Sequence, residues 1–138
     1  MPILKTIFSL ILLSLIGCST VQPSHKNKDW LRYTESGIAS YYADKHQYQK
    51  TASGEHYRHD LKTAAHKTLP FGVSVKVTNL ATNNSVVVKV NDRGPFAKGR
   101  IIDLSKSAFM AISQPNQGLL KVRIEVVPEL KVRLNKHK

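Results

Sequence analysis

Acidic side chains are scarce in this sequence, which has 138 residues and only 9 Asp and Glu against 21 Lys and Arg. Two of the acids lie where predicted strands end: Asp92 within the turn-forming run NDRGPF (91–96), and Asp103 directly after a pair of isoleucines. A carboxyl group at the mouth of an apolar core is partly shielded from water, so it can hold a proton and donate it to a leaving oxygen. Cleavage of a glycosidic bond needs such a general acid.

Both acids also have a purely structural interpretation. Asn, Asp, Gly and Pro all favour turns, so Asp92 could serve only to shape its turn. Asp103 precedes a predicted helix and could serve only as the cap of that helix. Spacing alone does not decide between the catalytic and the structural role.

The histidines give weaker signals. His66 lies in a short apolar patch before Pro70, where a buried, hydrogen-bonded structural histidine is the commoner outcome. His56 and His59 lie three residues apart in a polar stretch without periodic support, so no metal site is predicted. The sequence lacks a Gly-X-Ser-X-Gly elbow and a Gly-rich phosphate loop, which leaves nucleophilic acyl or phosphoryl transfer without a candidate.

Strands must position these side chains, because short runs of alternating apolar and polar residues dominate the sequence. Residues 73–78 and 86–90 flank the Asn83-Asn84 turn and predict an antiparallel pair; further strands are predicted at 37–43, 100–103 and 121–126. One helix is predicted after a cap at Asp103 or Ser105, with apolar residues at helical spacing: Leu104, Ala108, Ala111 and Ile112. Short strands with one helix favour a small β-barrel.

The N-terminus resembles a bacterial lipoprotein signal. An apolar run at 7–16 follows Lys5 and is shorter than the roughly 20 residues that a membrane-spanning helix needs. It ends in Leu-Ile-Gly-Cys, so residues 1–17 are predicted to be removed and Cys18, the only cysteine, to be lipidated. The alternatives are an ordinary cleaved signal with an incidental cysteine, or an uncleaved anchor. Ser19 after the cysteine resembles sorting to the outer membrane, facing the periplasm, in a Gram-negative host.

The net charge of +12 indicates an anionic partner. For an exported chain this favours cell-wall polymer or anionic lipid and argues against nucleic acid, which an exported lipoprotein meets little of. Residues 18–36 are predicted to form a lipidated tether in the cell envelope, 37–127 the folded domain, and 128–138 a basic tail. The protein is expected to be a monomer.

Six motifs closely resemble the rare lipoprotein A (RlpA) family. They occur in this order: GIASYY (37–42), TASGE (51–55), TAAHKTLPFG (63–72), VTNL (77–80), VNDRGPF (90–96) and GRIIDLS (99–105). The resemblance implies a mainly β fold, a six-stranded double-psi β-barrel with one or two short helices. It also implies an endolytic lytic transglycosylase that acts on peptidoglycan glycan strands, preferably strands without stem peptides, and uses no cofactor.

Carried over to this sequence, the resemblance assigns the family's functional groups to Asp92, His66 and Glu55, with Asp103 where related barrels place an acidic catalyst. Asp92 is expected to protonate the glycosidic oxygen and then to remove the proton from the C6 hydroxyl of N-acetylmuramic acid, which closes a 1,6-anhydro ring. His66 and Glu55 would orient the sugar or tune Asp92. The residues expected to contact substrate are Tyr42, Thr51, Arg93 and Arg100.

Two other functions remain open at this point. An inverting hydrolase would need both Asp92 and Asp103, separated by about 6.5–9.5 Å with a water between them, and the sequence gives no distance. A non-catalytic peptidoglycan-binding or expansin-like wall-loosening lipoprotein would use the same groove without cleaving the strand.

Overall fold

The computed structural model describes residues 29–114 and 116–128. The predicted signal peptide, Cys18, most of the predicted tether and nearly all of the basic tail lie outside the described residues. Within the part of the chain that the structure describes, no helix is long and apolar enough to cross a membrane.

Six strands close into a single barrel around one hydrophobic core. Their bounds are β1 Thr34–Tyr41, β2 Thr63–His66, β3 Ser74–Asn79, β4 Ser85–Asp92, β5 Arg100–Leu104 and β6 Leu120–Val126. One helix, α1 Lys106–Ile112, and two 3-10 turns, Trp30–Arg32 and Asp44–His46, complete the described elements. This architecture confirms the predicted mainly β, six-stranded barrel.

The strands follow the order β1-β5-β2-β4-β3-β6 around the barrel. β1 pairs in parallel with β5, and β2 pairs in parallel with β4, whereas the other neighbours are antiparallel. Parallel neighbours need crossover connections. Because β1 and β5 run in the same direction, their C-terminal ends meet at one end of the barrel.

The predicted antiparallel pair forms as β3 and β4. Val75 lies opposite Val88 and Val77 opposite Val86, while the intervening Lys76 points to solvent. Asn83 turns the chain with a φ of 61°, a left-handed conformation that Asn tolerates better than most residues. The period-two pattern of valines therefore set both the pairing and the buried face.

α1 begins after Ser105, whose side-chain oxygen accepts a hydrogen bond from the Ala108 N–H. Asp103, the alternative cap, lies inside β5 instead. Phe109 and Ile112 bury the inner face of α1 in the core. Because Ser105 satisfies the helix end, the Asp103 carboxylate is left for other partners.

Two features of the barrel had no clear signal in the sequence. All four residues of β2 are buried, so the strand shows no alternation of apolar and polar residues. β1 begins at Thr34, three residues before the predicted domain start at Gly37, and Trp30 and Tyr33 pack against the core.

At Gly37 itself, β1 and β5 approach so closely that an added Cβ would lie 2.6 Å from a methyl carbon of Ile101.

Candidate active site

A groove of about 510 Å³ lies where β1, β4 and β5 end. Five of the eight predicted site residues line it: Tyr42, Asp92, Arg93, Arg100 and Asp103. A volume of this size suits a few sugar rings or a small ligand. The two scarce carboxylates thus share one groove, although 10 residues of chain and a change of strand separate them.

Asp92 is held by three donors, none of which carries a charge. Its Oδ1 accepts the backbone N–H groups of Ala52 and of Arg93, each at 2.9 Å. Its Oδ2 accepts the Tyr42 hydroxyl at 2.6 Å. These bonds fix the carboxyl group in the groove wall, and Oδ2 keeps a second lone pair with which to carry a proton.

Tyr42 is locked behind Asp92 by aromatic packing. Its ring lies against that of Tyr57, with 4.4 Å between centroids, and meets His46 edge-on. Burial raises the pKa of the Tyr42 hydroxyl well above its ordinary value, and the hydrogen bond to Asp92 and the charge of that carboxylate raise it further. Tyr42 therefore stays protonated and serves Asp92 as a permanent hydrogen-bond donor.

Asp103 has a different environment. Its Oδ1 accepts the Ser40 hydroxyl at 2.5 Å and a hydrogen bond from the Arg100 guanidinium, which also forms an ion pair with it. Ser40 reaches Asp103 because the parallel register of β1 and β5 sets the two residues side by side. One groove carboxylate is thus paired with a cation, whereas the other is bonded by neutral groups.

Arg93 forms contacts with neighbouring parts of the barrel. Its guanidinium lies over the Phe71 ring, 4.0 Å from the centroid. One of its nitrogens, Nη1, donates to the backbone carbonyls of His66 and of Asp92 at 3.3 and 3.4 Å. Arg93 therefore braces the end of β4 against β2 while it lines the groove.

Thr51 lies behind the groove rather than in it. The residue is buried, and both its backbone N–H and its hydroxyl donate to the Glu55 carbonyl, at 2.7 and 2.9 Å. These bonds close the turn that presents the Ala52 N–H to Asp92. Thr51 thus helps to position the Asp92 carboxyl group through this turn.

Glu55 belongs to a separate cavity of about 1490 Å³ on the barrel surface. Its carboxylate accepts hydrogen bonds from Lys89 at 2.9 Å and from Asn91 at 3.2 Å. These two partners, Lys89 first, hold the pKa of Glu55 below its ordinary value. The side chain is therefore linked to the groove only through its neighbours Asn91 and the 51–55 turn.

His66 is 2% exposed and lines neither cavity. Its Nδ1 accepts the backbone N–H groups of Thr68 and Leu69, at 3.2 and 3.1 Å. A nitrogen that accepts two N–H bonds carries no proton, so the neutral ring is protonated at Nε2, which lies 3.2 Å from Glu35 Oε2. Burial lowers the pKa of His66, although Glu35 opposes the shift.

The cluster around His66 contains two residues that sequence reasoning missed. Tyr33 donates to Glu35 Oε2 at 2.6 Å, and this same oxygen faces the His66 ring. Both residues precede the predicted domain start, and their partner lies more than 30 residues away in sequence. No local pattern connects them; only the barrel register does.

The described residues contain no group of three or more His, Cys, Asp or Glu side chains arranged to hold a metal ion. Both ring nitrogens of His59 have a neighbouring polar group. The Tyr57 hydroxyl lies 2.7 Å from Nδ1, and Oδ1 of Asp44 lies 3.2 Å from Nε2. The groove is lined by carboxyl, hydroxyl and guanidinium groups and also by the imidazole of His46 and the ammonium group of Lys50.

Comparison with known proteins gives a consistent result. The sequence model of the lytic transglycolase family matches residues 34–124. The endolytic peptidoglycan transglycosylase RlpA of Rickettsia typhi is 52% identical over 99 residues, which are 70% of this chain and 31% of that protein. The protein of the same name from Pasteurella multocida is 50% identical over 101 residues, 73% of this chain and 34% of that protein. The chain thus matches about a third of the length of these curated relatives.

Solved structures support the fold. The Streptomyces papain inhibitor superposes with a TM-score of 0.56 at 24% identity, over 70% of this chain and 96% of that one. The expansin of Clavibacter michiganensis, in its apo form, gives 0.55 at 22% identity, over 70% of this chain and 52% of that one. At such identities the likeness establishes a common barrel and nothing about function.

Proposed function

The chain belongs to the lytic transglycolase family, and on that premise we propose that it cleaves the glycan strands of peptidoglycan as an endolytic lytic transglycosylase. The observation that carries this proposal is the contrast between the two groove carboxylates, one bonded by neutral groups and one paired with Arg100. Two acids in unequal surroundings are the usual basis for dividing roles in a glycosidase-like site.

Asp92 is the proton carrier in this mechanism. The Arg100 guanidinium and the Ser40 hydroxyl both bind Oδ1 of Asp103, whereas the three donors to Asp92 are uncharged and its Oδ2 keeps a lone pair for the proton, so Asp92 is assigned as the acid. Asp92 Oδ2 gives its proton to the glycosidic oxygen as the bond from that oxygen to C1 breaks. The resulting carboxylate then takes the proton of the C6 hydroxyl as its oxygen bonds to C1, which returns Asp92 to its starting state and leaves a 1,6-anhydro end.

Asp103 supports the same step without moving a proton. Its negative charge lies in the groove beside Asp92, where positive charge develops on the sugar as the C1–O bond breaks. Arg100 and Ser40 fix the carboxylate in position. Thr51, Arg93 and Tyr42 then act mainly by holding Asp92, and His66 and Glu55 act through the backbone and side-chain contacts described above.

The cellular setting is part of the proposal. Cys18, acylated after removal of residues 1–17, would anchor the protein in the cell envelope, in the outer membrane facing the periplasm for a Gram-negative host. More than one acyl chain gives stable anchoring, whereas a single chain is marginal. The partners are then peptidoglycan strands and the membrane, with no role for nucleic acid, and the protein acts as a monomer.

The test is to incubate the full chain, kept in solution with mild detergent, with glycan strands that lack stem peptides, and to identify the products by mass spectrometry. We expect products with 1,6-anhydro ends from the wild type, and a loss of roughly 100-fold or more in rate with Asp92→Asn. Asp60→Asn, the same change at an exposed acid paired with Arg58, is the matched control and should retain activity.

Two outcomes would contradict the proposal. Products with reducing ends would indicate hydrolysis by the carboxylate pair. Strands that bind the wild type but yield no product would indicate the non-catalytic, wall-binding alternative.

A further inference from the structure

One aromatic side chain in the groove has no packing role that accounts for its position. Phe96 is 89% exposed, more than any other large apolar side chain among the described residues. It lines the same groove as Asp92, Asp103 and Tyr42. A single exposed apolar residue on an open surface needs no explanation, but one that lines a polar groove beside the proposed acid does.

The loop that carries Phe96 is anchored at its base. Asp92 accepts the Arg93 N–H, and Arg93 is in turn bonded to the carbonyls of His66 and Asp92 and packed on Phe71. Gly94 follows with a φ of 127°, a conformation that residues with a Cβ rarely adopt. The ring therefore projects from a braced segment rather than from a loose loop.

The ring lies beside the backbone of its own loop. A Cβ added at Gly94 would lie 3.6 Å from Cε2 of Phe96, an ordinary van der Waals contact, so the space between the glycine and the ring would hold one methyl group. The high exposure of the side chain leaves most of the remaining ring surface free for a ligand.

We propose that Phe96 is the platform on which a sugar ring of the bound glycan strand stacks, close to the bond that Asp92 cleaves. The inference rests on the proposed function and names one binding subsite of that groove. Phe96 follows Asp92 by four positions in the chain, so the two Cα atoms lie within about 14 Å, a separation of a few sugar units at most.

The chemistry fits a pyranose ring. Such a ring presents hydroxyl groups at its rim and C–H groups on its faces, and the flat, apolar surface of Phe matches a face without requiring hydrogen bonds. The contact would be insensitive to salt, because it involves no ionised group. The basic residues of the chain, by contrast, would attract an anionic strand in a salt-dependent way.

The experiment measures binding in the absence of turnover. The full chain with Asp92→Asn is titrated with glycan strands of defined length by calorimetry, at low and at high salt, alone and with Phe96→Ala, Phe96→Leu or Phe96→Tyr. Leu119→Ala, which removes an exposed apolar side chain that lines neither cavity, is the matched control. Thermal unfolding of each variant checks the fold.

We expect Phe96→Ala to weaken binding roughly tenfold at both salt concentrations, Phe96→Tyr to bind like the parent, and Leu119→Ala to change nothing. Unchanged affinity with Phe96→Ala would overturn the proposal. Full affinity with Phe96→Leu would overturn it as well, because an aliphatic side chain offers no flat face.

Failure of this inference differs from failure of the proposed function. If anhydro products form but the Phe96 variants bind normally, the proposed stacking on Phe96 is wrong and the proposed transglycosylase activity is retained. If strands bind through Phe96 but the wild type forms no product, the platform stands and the reaction is wrong.

Discussion

At the scale of single residues, the hydroxyl of Tyr42 is the contact most directly tied to the proposed reaction. It lies 2.6 Å from Asp92 Oδ2, and its raised pKa keeps it a donor. A donor of this kind holds Oδ2 in place and stabilises the negative charge left there after proton transfer. Tyr42, predicted to contact substrate, therefore also acts as a positioning residue.

Tyr42→Phe removes this donor and preserves the stacking on Tyr57. We expect the turnover rate to fall about tenfold, because Asp92 loses the donor that holds Oδ2 and that stabilises its carboxylate after proton transfer. The measurement is the rate of product formation at saturating strand concentration and neutral pH. Tyr48→Phe, the same change at an exposed tyrosine outside the groove, should leave the rate unchanged, and an unchanged rate for Tyr42→Phe would refute this role.

His66 makes a separate prediction about stability. Because its pKa is lowered in the folded state, the unfolded chain binds the proton more tightly, and stability rises with pH until about 6.5, the ordinary value of histidine. A protonated Nδ1 would direct its N–H at the N–H groups of Thr68 and Leu69 and lose both bonds. The folded protein should therefore lose stability as pH falls below about 6.5.

Urea unfolding of the wild type and of His66→Gln, at a series of pH values on both sides of the ordinary histidine pKa, measures this effect. We expect His66→Gln to be less stable overall but to show a flatter dependence on pH over that range, since glutamine does not titrate. Equal slopes for the two proteins would assign the pH dependence to other groups.

At the scale of elements, the join between β5 and α1 decides which side chains are free for chemistry. Ser105 caps the helix and also accepts the Thr63 N–H at 3.4 Å, so it links α1, β2 and the end of β5. With the helix end satisfied, Asp103 stays on β5 and bonds to Ser40 and Arg100. The cap therefore contributes to the site without lining it.

Ser105→Ala should lower the free energy of unfolding by about 1 kcal/mol, the usual cost of losing an N-cap. Urea unfolding at neutral pH measures the change. Ser107→Ala, two residues on, loses only an exposed hydroxyl bond to the Leu61 carbonyl and should cost much less. Equal effects at the two serines would show that the cap contributes little.

Elements whose residues alternate could be predicted from the sequence, and others could not. β6 alternates between buried and more exposed residues along its whole length, and β3 and β4 alternate over part of theirs, so their pattern is visible. β2 is buried throughout, so its residues show no alternation and its sequence indicates only an apolar patch. The helix was predicted where α1 forms, although Leu104 lies in β5, Ala111 is exposed and Phe109 is buried instead. Which residue caps the helix depends on where β5 ends, and spacing does not determine that.

The candidate site likewise contains residues that the sequence indicated and residues that it did not. Asp92 and Asp103 stood out because acids are rare in a basic chain, and both line the groove. Their partners Tyr42 and Ser40 lie 50 and 63 residues away and meet them only through the barrel register. His66 and Glu55 were assigned by resemblance to a family, and their side chains lie outside the groove, which no sequence pattern indicated.

At the scale of the whole molecule, the closed barrel has a consequence for the order of folding. The first strand pairs with the last: Thr34 lies opposite Glu125, and β1 also needs β5 as its other neighbour. A chain that emerges from its N-terminus, from a ribosome or through a membrane, therefore cannot close this barrel until Glu125 is available. Contacts between such distant residues slow folding, so we expect closure of the barrel to be one of the last steps of folding.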